Sequence, residues 1–412
     1  SAASDVYKRQ TMKGHPSGSI PVQVLVLTWA SALLVSCLSN PLATTQPATD
    51  DLQDSAPEPT RSAATETREP AATEPSRAEG DRAQPEEEVY WPTAAWRVAT
   101  PEEQGMDAAL LQEMLDAIEE QNLYIDGLVV VHNGYIVAEK YYAPYQQDSP
   151  HEMYSITKSV VSALIGIAIQ EGYIHSVDDP VLGFFPERTF ENDDALKQSI
   201  TLEHLLTMSS GLAWDWDEMV STRDWVQYVL DQLMYIEPGV EFYYGSGTAH
   251  VLSAIIQETS GLSSDDFAQQ YLFDPLGIAE TNWQRAIDGI AKGGWGLKMT
   301  PRDMAKLGYL YLKQGKWDGR QIIPTGWIEA TTTRHIQVPE PLEPWDLYMG
   351  YLWWLHEDGP YAAHGMKGQF IYVIPESDLV VVFTGDIPDA KFAKPQLLIR
   401  DYIIPAVTTT SQ

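Results

Sequence analysis

The chain has 412 residues, with 26 Lys and Arg against 58 Asp and Glu, a formal net charge of −32, and a single Cys. An acid excess of this size repels a phosphate backbone and argues against nucleic acid as a partner. One Cys can form neither an intrachain disulfide nor a Cys-based zinc cluster.

The N-terminal stretch reads as an address. Met12-Lys13 opens an apolar run over 20–35 that includes Val22, Val24, Leu25, Val26, Leu27, Trp29, Leu33 and Leu34. At about 16 residues it is short for a membrane-spanning helix, which needs ~20, and it has the proportions of an export signal. Residues 1–11 fit no part of such a signal. The run ends in Leu34-Val35-Ser36-Cys37, which resembles a bacterial lipobox. That resemblance implies cleavage before Cys37, lipidation of Cys37, and an exported protein held to a membrane by the lipid, facing the periplasm or the cell exterior. The alternative is an uncleaved anchor in which Cys37 is incidental.

Residues 38–90 carry twelve acids and four bases among Ala, Thr, Pro, Ser and Gln, with little that is large and apolar. Such a segment buries too little surface to offset chain entropy and is expected to be a disordered tether. A flexible chain of this length reaches about 40 Å. The remaining residues, 91–412, hold 45 acids and 19 bases, so most of the acidity belongs to the globular part. There it reads first as solubility and second as a field that would draw a cationic substrate.

Within 91–412, Thr100-Pro101-Glu102-Glu103 has the composition of a helix start, with Leu110, Leu111, Met114, Leu115 and Ile118 at helical spacing behind it. The apolar runs 127–132 and 135–138 flank Asn133-Gly134, the signature of a type I′ hairpin. A strongly apolar helix is predicted over about 155–171, ended by Gly172. Helices and loops fill 173–345, and strands return at 347–354, 361–364, 369–374 and 379–384 before a helix at 394–404. This order implies an α+β protein.

One constellation carries chemistry. Ser155-Ile156-Thr157-Lys158 opens the apolar helix, and residues i and i+3 share a helix face. A serine hydroxyl needs a base, and a desolvated lysine of lowered pKa can be one. The bland reading is a serine at a helix start with a surface lysine. By itself Ser-x-x-Lys is a weak motif. There is no His-Glu-x-x-His zinc pattern and no Gly-x-Ser-x-Gly elbow.

A second segment strengthens the first. Phe242-Tyr243-Tyr244-Gly245-Ser246-Gly247, about 90 residues on, resembles the Tyr-x-Asn/Ser loop of the serine β-lactamase and penicillin-binding protein superfamily. So do Ile200-Thr201-Leu202-Glu203-His204-Leu205-Leu206-Thr207, Leu272-Phe273-Asp274-Pro275-Leu276-Gly277 and Gly293-Gly294-Trp295-Gly296. Together the resemblance covers about 95–405. It implies a β-lactamase/transpeptidase-like fold, with an antiparallel sheet flanked by helices and a mostly helical lobe. It implies catalysis by Ser155, Lys158 and Tyr244, with the Tyr244 phenol lowered in pKa by Lys158, and with Tyr243 as a rival. Ser246 stands where the family more often has Asn.

The family's Lys-Thr-Gly triplet is replaced by His364-Gly365-Met366, with His364 in the Lys position and Gly365 in the Thr position. The bland reading of His364 is a packing histidine at a strand end. The oxyanion hole implied by the resemblance pairs the backbone N–H groups of Ser155 and Lys367. No cofactor or metal is implied. The resemblance is to the class C, esterase-like branch, and the loss of the Lys-Thr pair shifts the expected substrate to a small-molecule ester or small amide. The alternatives are an amide hydrolase of the 6-aminohexanoate-oligomer type, a D-amino-acid peptidase or β-lactamase acting on cell-wall-type substrates, and an inactive binding protein that keeps the fold.

Overall fold

The computed structural model describes residues 90–279, 281–339 and 347–408. The lipobox, Cys37 and the proposed tether over 38–90 lie outside the described residues, apart from Tyr90.

The sheet grows from one hairpin. Strands β2 (Ile125–His132) and β3 (Tyr135–Tyr141) pair antiparallel, with His132 opposite Tyr135. Asn133 and Gly134 make the turn at φ 52° and 78°. A type I′ turn needs positive φ at both positions, which these two residue types tolerate best. The other strands are β1 (Arg97–Val98), β4 (Ile336–Gln337), β5 (Tyr348–Met349), β6 (Trp354–Leu355), β7 (Tyr361–Gly365), β8 (Gln369–Ile374) and β9 (Leu379–Gly385). They form a nine-stranded sheet in the order β1-β3-β2-β9-β8-β7-β6-β5-β4. Every pair is antiparallel except the short edge strand β1 on β3.

Strands β8 and β9 are buried along their whole length. They read as continuous apolar runs because both faces are covered. On one face, Val129, Val131, Ile371, Val373, Val380 and Val382 join a core shared with the helical lobe. Helix α5 (Pro301–Leu312) packs there. On the other face, Leu128, Val130, Phe370, Val381 and Phe383 meet helix α1 (Ala108–Glu120) and the C-terminal helical run.

The helical lobe is built round α2 (Ile156–Gln170), buried on all sides from Ile156 to Ala168. A helix apolar all round belongs in the middle of a core. It packs against α4 (Ser246–Ser260), which in turn packs against α3 (Trp225–Asp231). The lobes are stitched together at Leu352. Its N–H donates to the Leu206 carbonyl at 3.0 Å, and its own carbonyl accepts from Ser159 Oγ at 2.7 Å.

Three boundaries differ from the sequence reading. Helix α1 starts at Ala108, not at Thr100. Thr100 and Glu103 do cap each other reciprocally, but Gly105 at φ 72° ends that turn after the short segment Glu102–Gln104. The chain then restarts with the Asp107 carboxylate accepting from the N–H groups of Ala109 and Leu110. The strand expected over 347–354 is split into β5 and β6 by Leu352 at φ 60°. The last helix continues past 404 to Ala406 through a widened turn at Ile399–Ile403.

Loss of a helix N-cap costs about 1 kcal/mol. Asp107→Ala is therefore expected to lower stability to urea by about 1 kcal/mol, and Thr100→Ala by clearly less. Equal or inverted effects would return the helix start to Thr100.

Candidate active site

Helix α2 is entered through a tight turn. Tyr154 has φ 46°, and Ile156 N–H already bonds back to the Met153 carbonyl at 3.2 Å. This sets Ser155 at the N-terminus of α2, half-buried, with Lys158 one turn above it and 2 % exposed. Lys158 Nζ lies 2.9 Å from Ser155 Oγ, 3.0 Å from Ser246 Oγ and 2.9 Å from the Gly294 carbonyl oxygen. Burial holds the amine far below an ordinary lysine, at about 7. The physical cause is the desolvation of the ammonium form.

The three contacts constrain where a proton can go. A neutral amine has two N–H bonds and one lone pair. The Gly294 carbonyl can only accept, so it takes one N–H. The second N–H and the lone pair are divided between the Ser155 and Ser246 hydroxyls. With Ser246 accepting, the lone pair faces Ser155 and can take its proton.

Tyr244 completes the cluster. Lys158 Nζ sits 4.9 Å from its ring centroid. Burial pushes the phenol up to about 12, with a hydrogen bond to Ser155 acting the other way. The expected lowering by Lys158 is not what the structure has, because burial of the phenol dominates its pKa. Tyr244 is thus a neutral phenol, a proton donor. The rival Tyr243 turns away and donates to the Trp214 carbonyl at 3.3 Å.

Glycines permit the close approaches. A Cβ on Gly294 would lie 2.6 Å from Ser246 Cβ, and one on Gly245 would lie 2.7 Å from the Trp214 ring. The segment carrying Gly294 is fastened to the chain that leads into Ser155 by two bonds. Gly296 N–H donates to Glu152 Oε1 at 2.7 Å, and Met153 N–H donates to the Leu297 carbonyl at 2.8 Å.

The strand side is closed by the β7–β8 hairpin. A Cβ on Gly365 would lie 2.3 Å from the Met153 carbonyl oxygen, so only glycine fits against the chain entering the nucleophile. Lys367 occupies the hairpin tip at φ 63°. Its amine pairs with Asp386 at 2.8 Å and hydrogen-bonds Tyr154, which raises its pKa. The tip is therefore tied to the residue preceding Ser155. Nearby, Asp126 is raised to about 6 by burial and then by Asp386. His151, 3.7 Å from Asp126, is lowered to about 4 by burial, so at neutral pH the two are not an ion pair.

His364 sits apart from Ser155, Lys158 and Ser246 in kind. It is 4 % exposed and ringed by Trp354, Phe370, Tyr372 and Phe392 at centroid distances of 5.7, 4.9, 5.5 and 6.5 Å. Trp354 also lies 5.5 Å from Tyr244, and so connects the two rings. The Gly294 carbonyl and the Glu152 clasp are absent from the sequence reading. A backbone acceptor has no side-chain signature, and only the Gly293-Gly294 pair hints at a close approach.

The beta-lactamase family model matches residues 108–398. The 6-aminohexanoate-dimer hydrolase of Paenarthrobacter ureafaciens is 25% identical over 321 residues, covering 71% of this chain and 80% of that protein. Among solved structures, a penicillin-binding protein homolog from Caulobacter crescentus superposes with a TM-score of 0.59 at 15% identity, covering 73% of this chain and 97% of its own. A family VIII carboxylesterase superposes with a TM-score of 0.60 at 14% identity, covering 75% and 98%. At these identities the two structures establish the fold.

Two outcomes are expected from the geometry. Activity should rise with pH through an apparent pKa of about 7, since Lys158 is a base only when deprotonated. Ser246→Ala removes an acceptor that stabilises the ammonium form, so the acid limb of the pH–rate profile should move to lower pH. An unmoved or upward-moved limb would take Ser246 out of the cluster.

Proposed function

The chain belongs to the beta-lactamase family, and from that premise we propose that it is a serine hydrolase that works through an acyl-Ser155 intermediate. The single observation that supports this best is the three-oxygen contact of Lys158, with its amine at about 7 and 2.9 Å from Ser155 Oγ.

In this reading Lys158 takes the hydroxyl proton as Ser155 Oγ attacks the substrate carbonyl. The oxyanion is held by the N–H groups of Ser155 and Lys367. The C–O or C–N bond then breaks, and the leaving group takes a proton from the Tyr244 phenol. The Lys158 ammonium then gives its proton to the Tyr244 phenolate beside it, restoring a neutral amine and a neutral phenol. Water then attacks the acyl-enzyme by the same proton path in reverse, releasing the acid and restoring Ser155.

The proposed substrate is a neutral ester or a small amide. A carboxylate-bearing substrate would need a cation to grip it. Lys158 is committed to the proton, Lys367 is neutralised by Asp386, and His364-Gly365 offers neither the ammonium nor the hydroxyl of the Lys-Thr pair. The 6-aminohexanoate-dimer hydrolase relative supports amide cleavage as the reaction, not the exclusion of carboxylates, since that dimer itself ends in one. Export and anchoring through a lipid on Cys37 remain part of the proposal, resting on Leu34-Val35-Ser36-Cys37.

The test is direct. A fluorophosphonate should label Ser155, and Ser155→Ala should abolish both labelling and turnover of a p-nitrophenyl ester. Lys158→Ala should cost at least ~100-fold in rate. Fast nitrocefin turnover with poor ester turnover would overturn the substrate assignment. Absence of labelling and of turnover on esters, amides, nitrocefin and a D-Ala-D-Ala peptide would favour the inactive binding protein.

A further inference from the structure

Beside the cluster stands an aromatic arrangement that the chemistry above does not use. Trp295 follows Gly294, whose carbonyl is 2.9 Å from Lys158 Nζ. Its ring lies 4.3 Å from that of Trp216 and is stacked on that of Trp225 at 5.3 Å and 22°. Lys292 Nζ lies 5.3 Å from the centroid of the Trp295 ring.

The inner end of this stack is fixed. Trp225 is 5 % exposed, its backbone N–H donates to Asp288 Oδ2 at 3.1 Å, and His250 Nε2 lies 3.1 Å from the same oxygen. His250 is fully buried and its ring is 5.1 Å from that of Trp225. The buried His250–Asp288 pair thus has a positional use: it holds the main chain at Trp225, and the His250 ring packs beside that indole. The outer end is open, since Trp216 and Trp295 are both half-buried. Three stacked indoles, two of them half exposed and one carried on the residue after the Lys158 partner Gly294, form an apolar wall on that segment.

We propose that Trp216 and Trp295 form the acyl subsite of this hydrolase, selecting esters or amides whose acyl group is aromatic or a long apolar chain. This rests on the serine hydrolase reading given above. The acyl side is assigned because the leaving group belongs next to its proton donor, Tyr244, which has separate aromatic neighbours in Phe242 and Trp354. The indole stack is carried by the Gly294 segment on the Lys158 and Ser246 side.

A series of p-nitrophenyl esters keeps the leaving group constant while the acyl group changes from acetyl to hexanoyl to phenylacetyl. A hydrophobic pocket discriminates by roughly 10–200-fold. The native protein should prefer phenylacetate to acetate in kcat/KM by at least about tenfold. Trp216→Ala should collapse that ratio about tenfold, and Trp216→Phe should restore most of it. Trp295→Phe, with its melting temperature measured alongside, guards against a folding defect in any smaller replacement. An ester series hydrolysed without acyl preference, or a ratio unchanged in Trp216→Ala, overturns the subsite and leaves the hydrolase reading standing. No hydrolysis together with no fluorophosphonate labelling of Ser155 overturns the hydrolase reading, and the subsite with it.

Discussion

The site depends on the cost of burying one amine. A lysine inside an apolar helix must either find partners for its charge or surrender it. Lys158 does some of each: three oxygens surround it, and burial lowers its pKa to about 7. Each oxygen comes from a different piece of chain. Ser155 precedes the first residue of α2, Ser246 begins α4, and Gly294 belongs to a loop clasped by Glu152. The packing of α4 on α2, the glycines at 245 and 294, and the clasp all serve to bring those oxygens within 3.0 Å.

What was legible in the sequence is what is local. The hairpin followed from Asn133-Gly134, because two adjacent residues must both take positive φ. The Ser155–Lys158 pairing followed from helix periodicity. Thr100 was also read as a cap residue, and it does exchange bonds with Glu103, yet it does not open α1. Gly105 in the left-handed region cuts the turn short, and Asp107 supplies the real cap.

What was not legible depends on burial or on backbone. The direction of the Tyr244 shift is decided by how completely the ring is enclosed, not by its neighbour's formal charge. The Gly294 carbonyl and the indole stack come from residues far along the chain whose meeting leaves no periodic trace. His364 presents a related difficulty: position in a motif suggests contact with substrate, whereas its four aromatic neighbours depend on strand twist and on the C-terminal helix.

The three contacts of Lys158 have a bearing on how the protein becomes active. They span 3, 88 and 136 residues of sequence. Two of them exist only after long loops have closed, which is entropically slow compared with forming helices or hairpins. Until then Lys158 is solvated, carries its full charge and is no base at neutral pH. Catalytic competence is therefore coupled to completed tertiary structure. On the proposed hydrolase reading, a nascent fragment ending before Gly294 holds Ser155 without the means to deprotonate it.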